Sequence, residues 1–371
     1  MPLRCLDDAG KDLHAFDFDP HDWRNLKAEN RSRWHLRMPC CNSLVIAKTS
    51  RLGTQFFAHK VAGLCASAPE GEAHWDLKRL VVMAARAAGW QADTEVSGAT
   101  PTGAGWKADV LAQKRKYRVA IEIQWSGQTN EETLRRQQRY KDSGIRGLWL
   151  LRQPGFPVTR ELPAICIGGN LEEGFLALIP GSISTTARDR RHPSLWSQAF
   201  AMEAFLQAVF GGRFRFGLPR DGEATVFLFG AEDDCWACGA ETLVVSRIEI
   251  CFGPSPVYFS LANFGEFPDL VKVLLRHLPS DLGLGEIKYR FSKTMNEEYL
   301  SNGCTHCGQL YGRHYAFSVN SWARVLHKFS IRIDAAWRQA IENAWSERWV
   351  VYETRGPKNE DLSRDDLQDQ D

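Results

Sequence analysis

The sequence predicts an α/β protein: a mixed β-sheet flanked by helices, preceded by an N-terminal Cys/His-containing lead-in and followed by a C-terminal α+β zinc-ribbon-like domain. Three observations predict it. Residues 70–151 read in turn as helix, strand, strand, helix and strand, and a strand–helix–strand passage after a hairpin implies a mixed sheet with helices against it. Residues 106–125, WKADVLAQKRKYRVAIEIQW, form the hairpin and carry an acid on each strand. Two CxxCG knuckles stand at residues 235–239 and 304–308.

Bulk properties narrow the class. A chain of 371 residues suggests two or three domains. With 44% hydrophobic and 25% charged residues the composition is that of a soluble globular protein. No apolar run approaches the ~18 residues of a membrane span, and the opening MPLRCLDDAGKDLHAF lacks the apolar core of a signal peptide. A cytoplasmic location without membrane partners is therefore expected. In that reducing compartment the ten cysteines read as metal ligands and buried thiols rather than disulfides. A net charge of +1 supplies no global basic field, so binding a polyanion would need a local basic patch.

The lead-in spans residues 1–69. Short strands are expected at 2–5 and 14–18, a helix at 22–31, and strands at 43–48 and 54–57. Cys41, His59 and Cys65, with Cys40 beside them, are residue types that hold zinc. Their spacing lacks a CxxC knuckle, and buried thiols with a hydrogen-bonded histidine are the competing reading.

A domain at 70–155 follows. Leu77, Leu80, Val81, Ala84, Ala85 and Ala88 recur with the helical period, between Pro69 and Gly89. Glu72 lies in the first turn, where the helix dipole favours a carboxylate. His74 and Lys78 share a face. In the hairpin's second strand Val119, Ile121, Ile123 and Trp125 point one way, and Ala120, Glu122 and Gln124 the other. Pairing of the two strands brings Asp109 near Glu122. Two acids and an amide so placed can build a divalent-metal site, or can simply be acids on a wet sheet face. Thr129 and Glu132 form a capping box for a helix at 131–142 bearing Arg135, Arg136, Arg139, Tyr140 and Lys141. That helix can hold a phosphate backbone or be a solvated face. A buried strand at 147–151 closes the unit.

Residues 156–230 read as a connecting module with strands at 164–167 and 175–179 and a helix at 196–210. No catalytic constellation shows in it. Residues 231–353 hold the knuckles. Cys235, Cys238, Cys304 and Cys307 suit one zinc, and four thiolates leave no open coordination position, so the ion is structural. Strands are expected at 243–252 and 257–261, and helices at 269–278, 321–329 and 333–345. Residues 354–371 form a charged tail expected to be disordered.

The stretches CCNSLVIAKTSRLGTQFFAHK (40–60), GEAHWDLK (71–78), WKADVLA (106–112), AIEIQWS (120–126), RRQQRY (135–140) and GIRGLWLL (144–151) together resemble the CoiA-like competence protein family. The central part of that family is a PD-(D/E)XK nuclease-like domain with a restriction-endonuclease-like sheet. The resemblance implies that Asp109 is the first acid of the motif, Glu122 the second, and Glu72 the acid of the first helix. It implies Mg²⁺ or Mn²⁺ on Asp109 and Glu122, and DNA as substrate along Arg135, Arg136, Arg139 and Tyr140. Gln124 stands where the lysine usually is, and glutamine can position a water but carries no charge. The likeness also strengthens the reading of Cys41, His59 and Cys65 as a metal-binding lead-in. The implied function is that of a metal-dependent endonuclease acting on DNA in uptake, recombination or processing. The alternative is a catalytically inactive nuclease-fold protein that binds DNA, or docks a protein partner through its zinc-bearing C-terminal domain.

Overall fold

The computed structural model describes residues 2–61, 70–181, 196–218, 222–252, 256–345 and 347–352. Cys65 and the charged tail at 354–371 lie outside the described residues. The chain divides into two compact units, Met1–Phe216 with Arg348–Val351, and Gly217–Glu347 with the residues from Tyr352 on.

The first unit opens with the pair β1 (Arg4–Leu6) and β2 (Asp12–His14), helix α1 (Pro20–Arg33), and the hairpin β3 (Val45–Thr49) and β4 (Gln55–His59). Asp19 caps α1 by accepting from the amides of His21 and Asp22, with Pro20 in the first helical turn. Trp23, Leu36, Met38, Val45 and Phe57 form a small core of their own.

Next come α2 (Glu72–Ala87), β5 (Gln91–Ala99), β6 (Gly105–Lys114), β7 (Tyr117–Gln124), α3 (Asn130–Asp142), β8 (Arg146–Leu151), β9 (Ala164–Asn170), β10 (Gly174–Pro180), β11 (Trp196–Ala201), α4 (Met202–Phe210) and β12 (Phe214–Phe216). Strands β5 to β11 make one seven-stranded sheet whose spatial order is the chain order. The pairs β7–β8 and β8–β9 are parallel and the others antiparallel, so the sheet is mixed. One face packs on α2 and α4 through Leu77, Val81, Val110, Ile121, Leu150 and Phe205. The other carries Tyr140 of α3 against Ala120, Trp149 and Leu162. The sheet lies between helices because both its faces are apolar.

The second unit contains β13 (Glu223–Asp234), β14 (Glu241–Cys251), β15 (Val257–Phe259), α5 (Leu261–Phe264), α6 (Pro268–His277), β16 (Lys288–Ser292), β17 (Glu297–Gly303), β18 (Leu310–Tyr311), α7 (Arg313–Ser318), β19 (Arg324–Arg332) and α8 (Ala335–Ala344). Its sheets run β15-β14-β13-β19 and β16-β17-β18. The chain then returns to the first unit as β20 (Trp349–Val351), which pairs with β12, Phe214 opposite Val351. Val351 joins the main core, and its backbone amide and carbonyl are both bonded by the Gln198 side chain. The second unit is thus an insertion in the first.

Three local expectations are corrected. Residues 321–329 are not a helix but lie mostly in β19, where Val325, His327, Phe329 and Ile331 recur with period two beside β13. Residues 196–210 begin as a strand before turning helical at Met202. Strand β5 was not foreseen: it is an edge strand in which only Ala92 and Thr94 are buried, so its apolar alternation is faint. Among the described residues no helix is long and apolar enough to cross a membrane.

Candidate active site

The hairpin places its two acids side by side. Val110 pairs with Ile121, so Asp109 stands opposite Glu122 where β6 and β7 begin to part. On its other side Asp109 faces Glu95, which lies between the pairs Thr94–Val110 and Val96–Ala108 and interrupts the ladder with a φ of 57°. Glu95 and Asp109 turn their carboxylates to the α2 face of the sheet and Glu122 to the α3 face, and the two faces neutralise them differently.

On the α2 side the neutralising group is Lys78, whose side chain is fully buried. Its Nζ lies 2.8 Å from Glu70 Oε1, 3.2 Å from Asp109 Oδ1 and 3.3 Å from Glu95 Oε1. Burial alone would push the Lys78 pKa down, but Asp109, Glu95 and Glu70 outweigh it and hold it above the usual lysine range. Burial likewise presses the Asp109 carboxyl upward, yet Lys78, the His74 ring and the Ile123 amide hold it well below the ordinary carboxylate range. The Ile123 amide donates to Asp109 Oδ2 at 2.9 Å, across the gap where ladder bonding has stopped. His74 Nε2 stands 3.4 Å from the same oxygen.

On the α3 side Glu122 is 1% exposed. Tyr140 Oη donates to its Oε1, and Arg136 Nη2 donates to its Oε2 at 2.5 Å. Burial and the neighbouring Asp109 push Glu122 up to about 8, against the pull of Arg136 and Tyr140. Arg136 is itself fixed, with Nη1 on Gln128 Oε1 at 3.1 Å and its guanidinium over the Trp149 ring.

Beside Glu122 opens a cleft of about 550 Å³, lined by Trp106, Lys107, Arg136, Arg139 and Tyr140 among others. The Trp106 indole covers Gly98, where a Cβ would come within 2.2 Å of the ring, so only glycine fits beneath it. Arg139 Nη1 donates to Gly105 O at 3.1 Å, and Arg135 pairs with Glu132. The charge is unevenly divided along the chain. Residues 1–216 and 348–351 hold 31 Lys and Arg against 22 Asp and Glu, whereas residues 217–347 hold 12 against 16.

The remaining expected site residues have definite places. Gln124 Nε2 donates to Ser126 O at 3.0 Å and lies 3.2 Å from Ser126 Oγ. Glu72 begins α2, and its Oε2 is buried without a hydrogen-bond partner among the described residues. Sequence reasoning gave no role to Glu70, His74, Lys78 or Glu95. The signal for Lys78 was its position beside Leu77 and one turn from Val81 and Val82, a charge on the apolar face of α2.

Among the described residues, the exposed Asp19, His21 and Asp22 aside, three groups of side chains could hold a metal ion. Ligand atoms of Glu70, His74 and Asp109 lie within 4.8 Å of one another. Glu122 is outside this set, and both its oxygens are engaged. In the second unit Cys235, Cys238, Cys304 and Cys307 lie equally close. Gly239 and Gly308, at φ 70° and 69°, turn the two knuckles. The Cys307 amide, the Thr242 hydroxyl and the His306 amide reach Cys304 Sγ at 3.3 to 3.4 Å, and they lower its thiol pKa to about 5. Four converging thiols, one of them with donors that favour its thiolate, suit a tetrahedral zinc. In the lead-in, Cys40, Cys41 and His59 converge, with Cys41 Sγ 3.3 Å from His59 Nε2.

Residues 70–160 match the family model for the nuclease-like domain of competence protein CoiA, the likeness already visible in the sequence. No curated protein and no solved structure matches the chain.

Proposed function

We propose, on the premise that residues 70–160 are a CoiA-type nuclease-like domain, that the chain is a metal-dependent endonuclease of the PD-(D/E)XK type that hydrolyses phosphodiester bonds in DNA where β6 and β7 part. One observation carries the proposal: Asp109, paired with the buried Lys78, stands next to Glu122, whose partners Arg136 and Tyr140 line a basic cleft.

Each residue then has a task. Asp109 holds the divalent ion, Mg²⁺ or Mn²⁺, which when bound lowers the pKa of a water and offsets charge on the phosphate. Lys78 is a positioning residue: it fixes Asp109 and carries the positive charge for which β7 offers only Gln124. Arg136, Arg139 and Lys107 grip phosphates flanking the scissile bond, within a unit whose basic excess favours a polyanion. Glu122 keeps Arg136 and Tyr140 aimed into the cleft. Zinc on the four cysteines holds the second unit together.

The test is cleavage of single- and double-stranded DNA by the full chain with Mg²⁺ or Mn²⁺. Asp109→Asn is expected to lower the rate about a hundredfold or more. Unchanged cleavage by that variant sinks the assignment.

A second reading, DNA binding or partner docking without hydrolysis, is favoured by the engagement of both Glu122 oxygens and by the turn of Gln124 toward Ser126. The second unit, with Trp236, Phe317 and Trp322 exposed, would then dock a protein partner. Salt-sensitive DNA binding that survives Asp109→Asn, with no cleavage under either metal, supports it.

A further inference from the structure

The geometry points to a divalent-cation site on the α2 side of the hairpin, built from Glu70, His74 and Asp109, in which the histidine nitrogen makes the chain prefer Mn²⁺ to Mg²⁺. It rests on the nuclease reading only for the use made of the ion. Glu122, the second acid of the hairpin, is not one of its ligands.

His74 and Lys78 are four apart on α2, and Glu70, just ahead of the helix, meets Lys78 Nζ at 2.8 Å, so the three share one side. That side faces Asp109. Lys78 occupies Asp109 Oδ1, and His74 addresses Oδ2. Lysine and ion therefore need not compete for one oxygen of Asp109. The donor atoms of Glu70, His74 and Asp109 lie within 4.8 Å of one another, a span that ligands around a single ion can have.

A second observation concerns the nitrogen. His74 Nε2 is buried and faces Asp109 Oδ2 at 3.4 Å, an ion-pair distance without hydrogen-bond geometry. A buried nitrogen in that state asks for an explanation, and a metal ion between it and Asp109 is one. Charge agrees. Glu70, Glu95 and Asp109 share the single buried ammonium of Lys78, and the half-exposed Lys107 reaches Glu95 only at 3.8 Å. The cluster holds more negative than positive charge, which a divalent cation offsets.

The nitrogen sets the selectivity. Mg²⁺ demands oxygen ligands and gives up water reluctantly. Imidazole suits the first-row transition ions, so a Glu–His–Asp set favours Mn²⁺ and its heavier neighbours. The four thiols of the second unit are too soft to compete for Mn²⁺.

Titration of Mn²⁺ into the full zinc-loaded chain, followed by loss of the free-ion EPR signal, tests the site without reference to activity. One ion is expected, displaced by Mg²⁺ only at about tenfold or greater excess. His74→Gln and Glu70→Gln should each weaken Mn²⁺ about 10- to 100-fold, and Glu122→Gln less than about twofold. Circular dichroism melts identify any variant that fails to fold, and two variants keep the test decisive. Mn²⁺ binding that survives both helix variants but is lost in Glu122→Gln overturns the site, as does no binding at millimolar Mn²⁺. Binding as expected with no cleavage of DNA keeps the site and overturns the nuclease. Cleavage and Mn²⁺ binding that are both indifferent to His74 and Glu70 do the reverse.

Discussion

Asp109 and Glu122 are cross-strand neighbours of the same chemistry, yet their surroundings are opposites. Around Asp109 one buried ammonium serves three carboxylates. Around Glu122 one buried carboxylate is shared by a guanidinium and a phenol. The first arrangement stabilises charge, and Asp109 falls well below its usual range. The second leaves burial dominant, and Glu122 rises to about 8. Burial presses both upward; at Asp109 the Lys78 ammonium, the His74 ring and the Ile123 amide overcome it, whereas at Glu122 the neighbouring Asp109 adds to it against Arg136 and Tyr140. A carboxylate next to an ionised carboxylate is pushed to keep its proton, and the hairpin enforces that adjacency.

The comparison can be broken most forcefully at Lys78. Lys78→Met leaves Glu70, Glu95 and Asp109 without their shared cation, and a loss of ~3–5 kcal/mol is expected in urea unfolding, because removing one partner strands the others. Should stability stay within error, Lys78 does not organise the α2 side. Next in size is pH. Glu122 titrates near 4.5 when unfolded and near about 8 when folded, so between those values only the folded state holds the proton. Stability should therefore fall as pH rises through that window, by up to ~1.4 kcal/mol per pH unit from this group. In Glu122→Gln that contribution disappears, so the variant should gain on the parent from pH 5 to pH 8. Urea melts across the range read it, and parallel curves contradict the raised value. Tyr140→Phe removes one hydrogen bond to Glu122 and should cost about 1 kcal/mol, while leaving the Asp109 side untouched. The smallest effect is at the cleft. Arg139→Ala should weaken DNA binding evenly across sequences and lower the log–log salt slope by about 1. An unchanged slope places the phosphate path elsewhere.

Much of this contrast was legible in the sequence and its decisive part was not. The period-two run of β7, the capping box at Thr129 and the apolar period of α2 are local signals, and each element stands where they place it. The adjacency of Asp109 and Glu122 followed from the hairpin alone. The cation hub did not, because Lys78 meets Glu95 and Asp109 only once α2 lies on the sheet, and charge on a helix face is usually solvated. Glu95 was hidden for a related reason: it sits in an edge strand with little apolar pattern and acquires meaning from its cross-strand partner. Cys235, Cys238, Cys304 and Cys307 were readable because knuckle spacing is itself local. The engagement of Gln124 with Ser126 was beyond any pattern, since a rotamer choice leaves no trace in periodicity.

The return of β20 to the first unit sets an order of events during synthesis. Strand β12 and the Gln198 amide await partners made more than a hundred residues later, after the whole second unit has left the ribosome. Until then Val351 is missing from the core that carries the hairpin. A chain cut short by a nonsense codon anywhere in the second unit therefore lacks the strand that pairs with β12 in the first unit. Completion of that unit is tied to completion of the protein.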